Sequence, residues 1–255
     1  MSFRTLAAVL TVAGVVTLAA PAHAWQLTWL GHAGFLIEAK DGTRILVDPW
    51  LQNPKFPKGY QWPDRVDAIL VTHGHFDHAS SAADLSTRFK APIIGCFELV
   101  NQLQPKGGTP GIGGNVGGTV DVKGVRVSMV PAIHSSSLMG PNQETLYAGT
   151  PVGFVLQAKG EPTLMHAGDT GLTRDFETIR DVYKPRIGLL PIGGHFTMDP
   201  AQAAIAARYL GVQNVVPMHY GTFPLLKGTP AELKEALKGT SIQVHELTPG
   251  QKTTL

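Results

Sequence analysis

Residues 73–78, His-Gly-His-Phe-Asp-His, place three imidazoles and one carboxylate in one short stretch. The stretch follows the apolar residues 68–71, which have the length and composition of a buried strand. Side chains at the end of such a strand can point into a cleft. Imidazole nitrogen and carboxylate oxygen are the ligands that zinc and neighbouring transition metals take at about 2 Å. A surface loop rich in histidine by chance would leave this density of ligand types unexplained, so the stretch predicts a metal site.

Three further residues of ligand type each follow an apolar strand pattern later in the chain: His134, Asp169 and His219. Strand ends along one rim of a sheet can converge, so these residues can complete the site begun at residues 73–78. Seven ligand-type groups suit two metal ions, with one carboxylate bridging them. The predicted metal ligands are His73, His75, Asp77, His78, His134, Asp169 and His219.

The elements that must position these residues alternate between strands and helices. Strand patterns are predicted at residues 25–30, 34–39, 44–47, 93–95, 120–122, 125–130, 152–158, 163–166, 186–190, 215–217 and 242–247. The glycine-rich residues 107–118 contain no Gly-Lys-Ser/Thr, so we interpret them as a flexible connection rather than a phosphate loop. No repeat or linker divides the chain, which predicts one domain of mixed strands and helices with several antiparallel hairpins.

Helix starts are marked by capping residues. Ser81 with Asp84 resembles a capping box and predicts a helix to residue 89. Asp199 precedes a proline and predicts a helix to residue 210. Thr229, with Glu232 three residues later, predicts a helix to residue 237.

The composition bounds the class of protein. The chain has 255 residues, of which 43% are hydrophobic and 16% charged, so it can bury a sizeable core. The formal net charge of +2 is too small to indicate binding to nucleic acid or to an anionic membrane. We therefore expect a small-molecule substrate and no nucleic-acid partner, while the oligomeric state is open.

The N-terminal residues 1–24 have the layout of a secretory signal peptide: one positive charge at Arg4, an apolar segment, and small residues before Trp25. Cleavage after Ala24 would export a mature domain of residues 25–255 to the periplasm or medium. The alternative is a retained anchor, but the apolar run is short of the ~20 residues that a spanning helix needs. Cys96 is the only cysteine, so no intrachain disulfide supports the fold.

Linked motifs give the chain a family resemblance. They are Trp-Leu-Gly-His at 29–32, Asp-Pro-Trp at 48–50, Thr-His-Gly-His-Phe-Asp-His at 72–78, Pro-Ile-Gly-Gly at 191–194 with Phe-Thr-Met at 196–198, and Pro-Met-His-Tyr at 217–220. The string resembles the metallo-β-lactamase superfamily and, more closely, the UPF0173 metal-dependent hydrolases. Those are related to the L-ascorbate-6-phosphate lactonase and N-acylphosphatidylethanolamine phospholipase D branches. The resemblance spans nearly the whole mature chain.

The resemblance implies an α+β fold, a four-layer αββα sandwich with the metals at one edge. It also implies that His73, His75 and His134 hold one metal, that Asp77, His78 and His219 hold the other, and that Asp169 bridges them. The implied cofactors are two divalent metal ions, with zinc the first choice and manganese, iron and nickel suited to the same ligands.

The implied chemistry is hydrolysis. A bound metal lowers the pKa of its water toward ~7, so that a metal-bound hydroxide can attack, and two metals can polarise the carbonyl or phosphoryl oxygen. Asp77 is the predicted catalytic residue, orienting the hydroxide and carrying a proton to the leaving atom. We expect cleavage of an ester-type bond in a lactone, phosphodiester or amide.

Four residues are candidates for positions behind the ligands or in the substrate pocket. His32 matches the Gly-His motif, and Asp48 is a candidate partner for a ligand histidine. His195 either lines the pocket or lies on the surface. Tyr220 either supplies a hydroxyl to a developing oxyanion or packs in the core.

Three other functions compete with this interpretation. A β-lactamase proper fits export, but the motifs resemble UPF0173 rather than the antibiotic-degrading groups. A non-catalytic metal- or ligand-binding protein would be expected to have lost ligands, and all seven are present. A flavodiiron-type oxidoreductase would have a carboxylate in place of His75 and an additional flavin domain.

Overall fold

The structure, a computed structural model, describes residues 1, 25–104 and 108–255. Apart from Met1, the predicted signal peptide lies outside the described residues. Among the described residues, no helix has both the length and the apolar character needed to cross a membrane.

Two seven-stranded sheets form the centre of the molecule. In the first, the spatial order is β16, β1, β2, β3, β4, β5 and β6. Neighbours from β16 to β3 are antiparallel, and those from β3 to β6 are parallel. The strands are β1 Gln26–Trp29, β2 Phe35–Glu38, β3 Arg44–Val47, β4 Ala68–Leu70, β5 Ile93–Cys96, β6 Ile112–Gly114 and β16 Lys252–Thr254.

The second sheet has the order β15, β14, β13, β12, β11, β8 and β7. The strands β12 to β15 are parallel, whereas β12, β11, β8 and β7 alternate in direction. Its strands are β7 Thr119–Val122, β8 Val125–Pro131, β11 Val152–Gln157, β12 Leu164–His166, β13 Ile187–Pro191, β14 Asn214–Met218 and β15 Gln243–Val244. A separate hairpin pairs β9 Ser137–Met139 with β10 Thr145–Tyr147.

Helices cover the outer faces of the sheets. They are α1 Phe76–Ala79, α2 Ala82–Phe89, α3 Phe97–Leu103, α4 Asp175–Tyr183, α5 Pro200–Leu210 and α6 Pro230–Ala236. Successive side chains along each strand of the first sheet point to opposite faces, so both faces receive apolar residues. Val47 and Leu70 join the apolar core shared with the second sheet, whereas Leu46 and Ile69 pack with residues of α2 and α3. The predicted α+β sandwich is therefore confirmed.

The topology brings the candidate ligands to one edge. β8 and β12 are both antiparallel to β11, so they run in the same direction, and β14 runs parallel to β12 through β13. The carboxyl ends of β8, β12 and β14 therefore lie at the same edge of the second sheet, where they lead to His134, Asp169 and His219 respectively. Residues 73–78 follow β4 in the facing sheet.

Two of the three predicted helix caps form. Asp199 and Thr229 each accept the hydrogen bond of a capping box. The predicted box at Ser81 is wrong: α2 begins there, but the Ser81 hydroxyl accepts from the Leu51 amide instead. The Ser81 hydroxyl therefore accepts its hydrogen bond from the loop that contains Leu51 and not from the first turn of α2.

The glycine-rich connection also differs from the prediction. Ile112–Gly114 pairs in parallel with Ile94–Cys96 as the edge strand β6. A Cβ added at Gly113 would lie 2.9 Å from the Cα of Phe97, so the glycine permits a close approach of α3.

Candidate metal centre

The first group of candidate ligands is formed by His73, His75 and His134. The Nδ1 atom of His75 lies 3.0 Å from Nε2 of His73 and 3.3 Å from Nε2 of His134. A tetrahedral metal with ~2.0–2.1 Å bonds to nitrogen has its ligand atoms about 3.3 Å apart. The two distances from His75 are therefore close to those between ligand atoms of a tetrahedral metal site.

The second group consists of Asp77, His78 and His219. Oδ2 of Asp77 lies 4.0 Å from Nε2 of His78 and 3.8 Å from Nε2 of His219. Asp169 lies between the two groups: its Oδ2 is 3.0 Å from Nε2 of His219 and 3.6 Å from Nε2 of His134. One carboxylate oxygen thus reaches imidazoles of both groups.

Several polar atoms at this centre lack hydrogen-bond partners. Nε2 of His78, Nε2 of His219 and Oδ1 of Asp169 are buried without a partner among the described residues. Leaving buried polar atoms unpaired is costly, and such atoms in a native site call for an explanation. Metal coordination supplies one, because His78, His219 and Asp169 all belong to clusters of residues that could hold a metal ion.

The centre combines an ionised carboxylate, which favours a bound cation, with two histidines whose pKa values are shifted in opposite directions. Burial opposes ionisation of Asp169, but His219 and His78 outweigh it and hold the pKa of this carboxyl well below its usual range. Burial likewise opposes the charge on His78, yet Asp169 and Asp48 raise the pKa of that imidazole well above its usual value. Burial lowers the pKa of His73, which favours the neutral form that a metal ligand requires.

Asp48 determines which nitrogen of two histidines carries hydrogen. Its Oδ2 accepts from Nδ1 of His78 at 2.8 Å and from the Thr72 hydroxyl at 2.7 Å. Because that hydroxyl donates to Asp48, it accepts from Nδ1 of His73, 3.0 Å away. In their neutral forms, both imidazoles consequently turn an unprotonated Nε2 toward the centre.

His32 lies behind Asp77. Its Nε2 is 3.0 Å from Oδ2 of Asp77, and its Nδ1 is 2.6 Å from the hydroxyl of Thr222. Burial and the neighbouring His219 lower the pKa of His32 to about 4, so the ring is neutral near pH 7. A carboxylate only accepts, so Nε2 donates to Asp77 and Nδ1 accepts from Thr222.

The backbone at His32 is also tied to the site. Its carbonyl oxygen accepts from the amide of His219 at 3.0 Å and from the Trp29 indole at 2.9 Å. His32, Asp48 and His219 have φ values of 53°, 44° and 56°, a left-handed region that non-glycine residues rarely adopt. Such strain is typical of functional sites, where the surrounding structure holds it.

Two candidates from the sequence lie away from the ligands. The ring of Tyr220 stacks on Trp29 at 5.4 Å, and the Lys55 ammonium lies 4.2 Å from the Tyr220 ring centre. These residues line a separate cleft. His195 is exposed in a second cleft, where its ring meets Phe196 edge-on at 4.4 Å.

A cavity of about 550 Å³ opens over the ligands. Its polar part contains His75, Asp77, His134, Ser135, Asp169 and His219. The rest of its lining is apolar and comes from Phe76, Phe196, Phe223, Pro224 and Leu225.

Thr72, Thr222 and Phe223 also belong to the site, although the sequence patterns assigned them no role. Thr72 and Thr222 hydrogen-bond the imidazoles of His73 and His32, and Phe223 lines the cavity. Their nearness to His73 and His219 in the chain was the available signal. Threonine and phenylalanine are too common in loops for that nearness to be informative.

Comparison with known proteins places the fold and site in a class. A family profile described as "Beta-lactamase superfamily domain" matches residues 26–219. The solved structure of Igni18, a novel metallo hydrolase from the hyperthermophilic archaeon Ignicoccus hospitalis KIN4/I, superposes with a TM-score of 0.79 at 34% identity, covering 91% of this chain and 98% of that one. The chain thus has the fold of a metallo-hydrolase in the β-lactamase superfamily.

Curated relatives narrow the class. A UPF0173 metal-dependent hydrolase of Myxococcus xanthus (strain DK1622) is 50% identical over 238 residues, covering 90% of this chain and 83% of the relative. Another, from Anaeromyxobacter sp. (strain K), is 45% identical over 236 residues, covering 89% and 85%. The chain belongs to the UPF0173 metal-dependent hydrolases, and the resemblance seen in its motifs is confirmed.

Proposed function

We propose that this metal-dependent hydrolase uses two divalent metal ions to cleave an ester-type bond of a small molecule. His73, His75 and His134 would hold one metal, Asp77, His78 and His219 would hold the other, and Asp169 would be a ligand shared by both. The observation that carries the proposal is the position of Oδ2 of Asp169, 3.6 Å from His134 and 3.0 Å from His219. A single metal would leave one of the two imidazole groups without a role.

The residues divide the remaining work. When bound, two metals make a water acidic and polarise a carbonyl or phosphoryl oxygen. Burial opposes ionisation of Asp77, but the hydrogen bond from His32 lowers its pKa to about 2, so the carboxylate is ionised at neutral pH. Asp77 lines the cavity, where it can orient the attacking water and pass a proton to the leaving atom.

Zinc is the first choice of metal. The first group consists of three imidazoles, and the distances from Nδ1 of His75 to the other two nitrogens are close to those of a tetrahedral zinc site. Manganese, iron and nickel take the same donors, so the experiment must compare loaded forms.

The test combines metal analysis with a substrate screen. Protein purified without chelator is expected to carry up to two metals per chain, and finding none would sink the site assignment. Zinc- and manganese-loaded forms are then screened on carboxylic esters, lactones, phosphodiesters and β-lactams. An Asp77→Ala variant that keeps full activity would contradict the proposed mechanism.

Export completes the proposal. Its supports are the signal-peptide layout of residues 1–24 and the position of Trp25, which is fully buried just before β1. The family profile also begins at residue 26. Mass spectrometry of the protein from the periplasm or medium is expected to show Trp25 as the first residue, and an intact Met1 would refute cleavage.

A further inference from the structure

The cavity over the candidate ligands has two chemically different parts. Its polar part holds the groups that would bind metals, and the rest is aromatic and aliphatic. Among the described residues, the lining contains neither lysine nor arginine. The reacting bond and the remainder of the substrate therefore meet different surroundings.

The apolar residues come from three separate segments of the chain and converge on this one cavity. Phe76 lies between His75 and Asp77, Phe196 lies between β13 and α5, and Leu225 lies between β14 and α6. These side chains are exposed by 60%, 49% and 50% respectively. Scattered exposed apolar residues are ordinary, but a patch gathered around a functional cleft marks a binding surface.

The aromatic part of the cavity is held in place from behind. The ring of Trp50 lies 5.6 Å from Phe76 and 5.5 Å from Phe223, and Phe223 in turn meets His32 at 5.5 Å. Trp50 is buried, so its packing fixes the two rings that line the cavity. A preformed apolar surface of this kind orders little on binding, which favours an apolar ligand.

The positions of nearby lysine side chains also favour a substrate without a second negative charge. The ammonium of Lys55 lies over the Tyr220 ring in another cleft, and Lys227 lines the cleft of His195. A second anionic group on the substrate, away from the reacting bond, would find no partner in the cavity. Burying an unpaired charge is expensive, so such substrates are disfavoured.

We propose that the substrate is a neutral ester whose acyl group is apolar, an alkyl chain or an aryl ring that packs against Phe76, Phe196, Phe223 and Leu225. This rests on the proposed hydrolase function. In the reaction, the oxygen of water bonds to the acyl carbon and the acyl carbon–oxygen bond breaks. The carboxylic acid keeps the water oxygen, and the released alcohol takes the proton that the water loses.

The first experiment measures kcat/KM of the zinc-loaded protein on p-nitrophenyl acetate, butyrate, hexanoate and octanoate below their micellar concentrations. Full burial of a methylene contributes about fourfold, so a half-exposed cavity should give about twofold per methylene. Phe76→Ala combined with Leu225→Ala should flatten this dependence, whereas Val182→Ala, at an exposed position on α4, should preserve it. A flat dependence in the unsubstituted protein would overturn the proposal.

The second experiment reverses the preference. Mono-p-nitrophenyl glutarate differs from p-nitrophenyl valerate by a carboxylate at the far end of the acyl chain, and should be the poorer substrate. Leu225→Arg places a cation at the cavity and should raise the glutarate-to-valerate ratio about fivefold, the size of a partly exposed ion pair. Val182→Arg adds the same charge elsewhere and should leave the ratio unchanged, so an equal rise in both variants would contradict the proposal.

A binding measurement separates this proposal from the proposed function. Titration calorimetry of the zinc-loaded protein with aceto-, hexano- and octanohydroxamate should show affinity rising with chain length even without turnover. Rising affinity with no hydrolysis of any ester would support binding of apolar groups in the cavity and would reject the hydrolase function. Hydrolysis with no dependence on chain length in either assay would support the hydrolase function and would reject the preference for an apolar acyl group. A change of sedimentation in Leu225→Arg, with the chain-length dependence intact in that variant, would assign the patch to a second copy and overturn the proposal.

Discussion

At the scale of single residues, the site is organised by two carboxylates with different tasks. Asp169 lies between the imidazole groups, and Asp48 lies behind them, where it accepts from His78 and Thr72. The first reaches the space where metals would bind, and the second sets which nitrogen each histidine presents there.

Replacing Asp169 should therefore affect both metals. Asp169→Asn removes the negative charge between the groups, and we expect weaker binding of both metals and a roughly thousandfold or greater fall in kcat/KM, since several kcal/mol of charge stabilisation depend on the metals. Metal analysis and kinetics check this. His134→Ala removes one ligand of one group and should leave the other metal bound, so equal metal loss in the two variants would contradict the bridge.

His32 should act through Asp77 and His219 rather than on the substrate. His32→Ala removes the hydrogen bond to Asp77, and we expect about a 10- to 100-fold loss of metal affinity, the usual effect of a residue that orients a ligand. Thr222→Val, of the same shape, should produce a smaller loss because it only frees Nδ1 of His32. Competition with a zinc chelator measures both.

His245 provides the matched control for that experiment. Its ring bonds Asn214 at 2.8 Å beside β15, and it belongs to neither imidazole group. His245→Ala should leave metal affinity unchanged. Similar losses in the His32 and His245 variants would show a general effect on the fold instead.

At the scale of elements, strands deliver the ligands and capped helices cover the sheets. Thr229 is the N-cap of α6. Its hydroxyl accepts a hydrogen bond from the Glu232 amide, and the Glu232 carboxylate accepts one from the Thr229 amide. Ser81 occupies the same position before α2 without such a bond.

Thr229→Ala should lower the free energy of unfolding by about 1 kcal/mol, because the first turn of α6 loses its cap. Urea denaturation of the metal-loaded protein measures the change. Thr229→Ser keeps the hydroxyl and should restore most of it. Equal destabilisation by the serine and alanine substitutions would mean that packing of the threonine methyl, not the cap, is responsible.

At the scale of the whole molecule, an ion pair joins the two sheets. Asp67, just before β4 of the first sheet, lies 2.6 Å from the Lys123 ammonium at the β7–β8 turn of the second. Its other oxygen accepts from the Arg44 amide at 2.8 Å. Burial raises the pKa of Asp67, but Lys123 and this amide outweigh it, so the net pKa is lowered.

This lowered pKa has a defined consequence for stability. A carboxyl whose folded pKa lies below its unfolded value stabilises the fold above the unfolded pKa, and loses that contribution as the pH falls through the folded pKa. Asp67→Asn should therefore cost about 1 kcal/mol near pH 7 and progressively less below about pH 4. Urea denaturation across this range checks the trend, and a cost independent of pH would contradict it.

The strongest local patterns of the sequence determined the class of site. Residues 73–78 carry ligand types at a density that needs no tertiary information, and the caps at Asp199 and Thr229 depend on neighbours within one turn. The family and the α+β sandwich followed from linked motifs, and both are confirmed. The assignment of each ligand to a particular metal stays a prediction.

Only the tertiary structure decided what surrounds those ligands. The hydrogen bond between His32 and Asp77 joins residues 45 positions apart, and the Ser81 hydroxyl accepts from the amide of Leu51, 30 positions away. Tertiary packing likewise places Tyr220 in a separate cleft. It also brings Phe76, Phe196 and Leu225, which are distant in the chain, to one cavity. A local pattern specifies which groups a residue can offer, whereas the packing of the two sheets determines which partners come within reach.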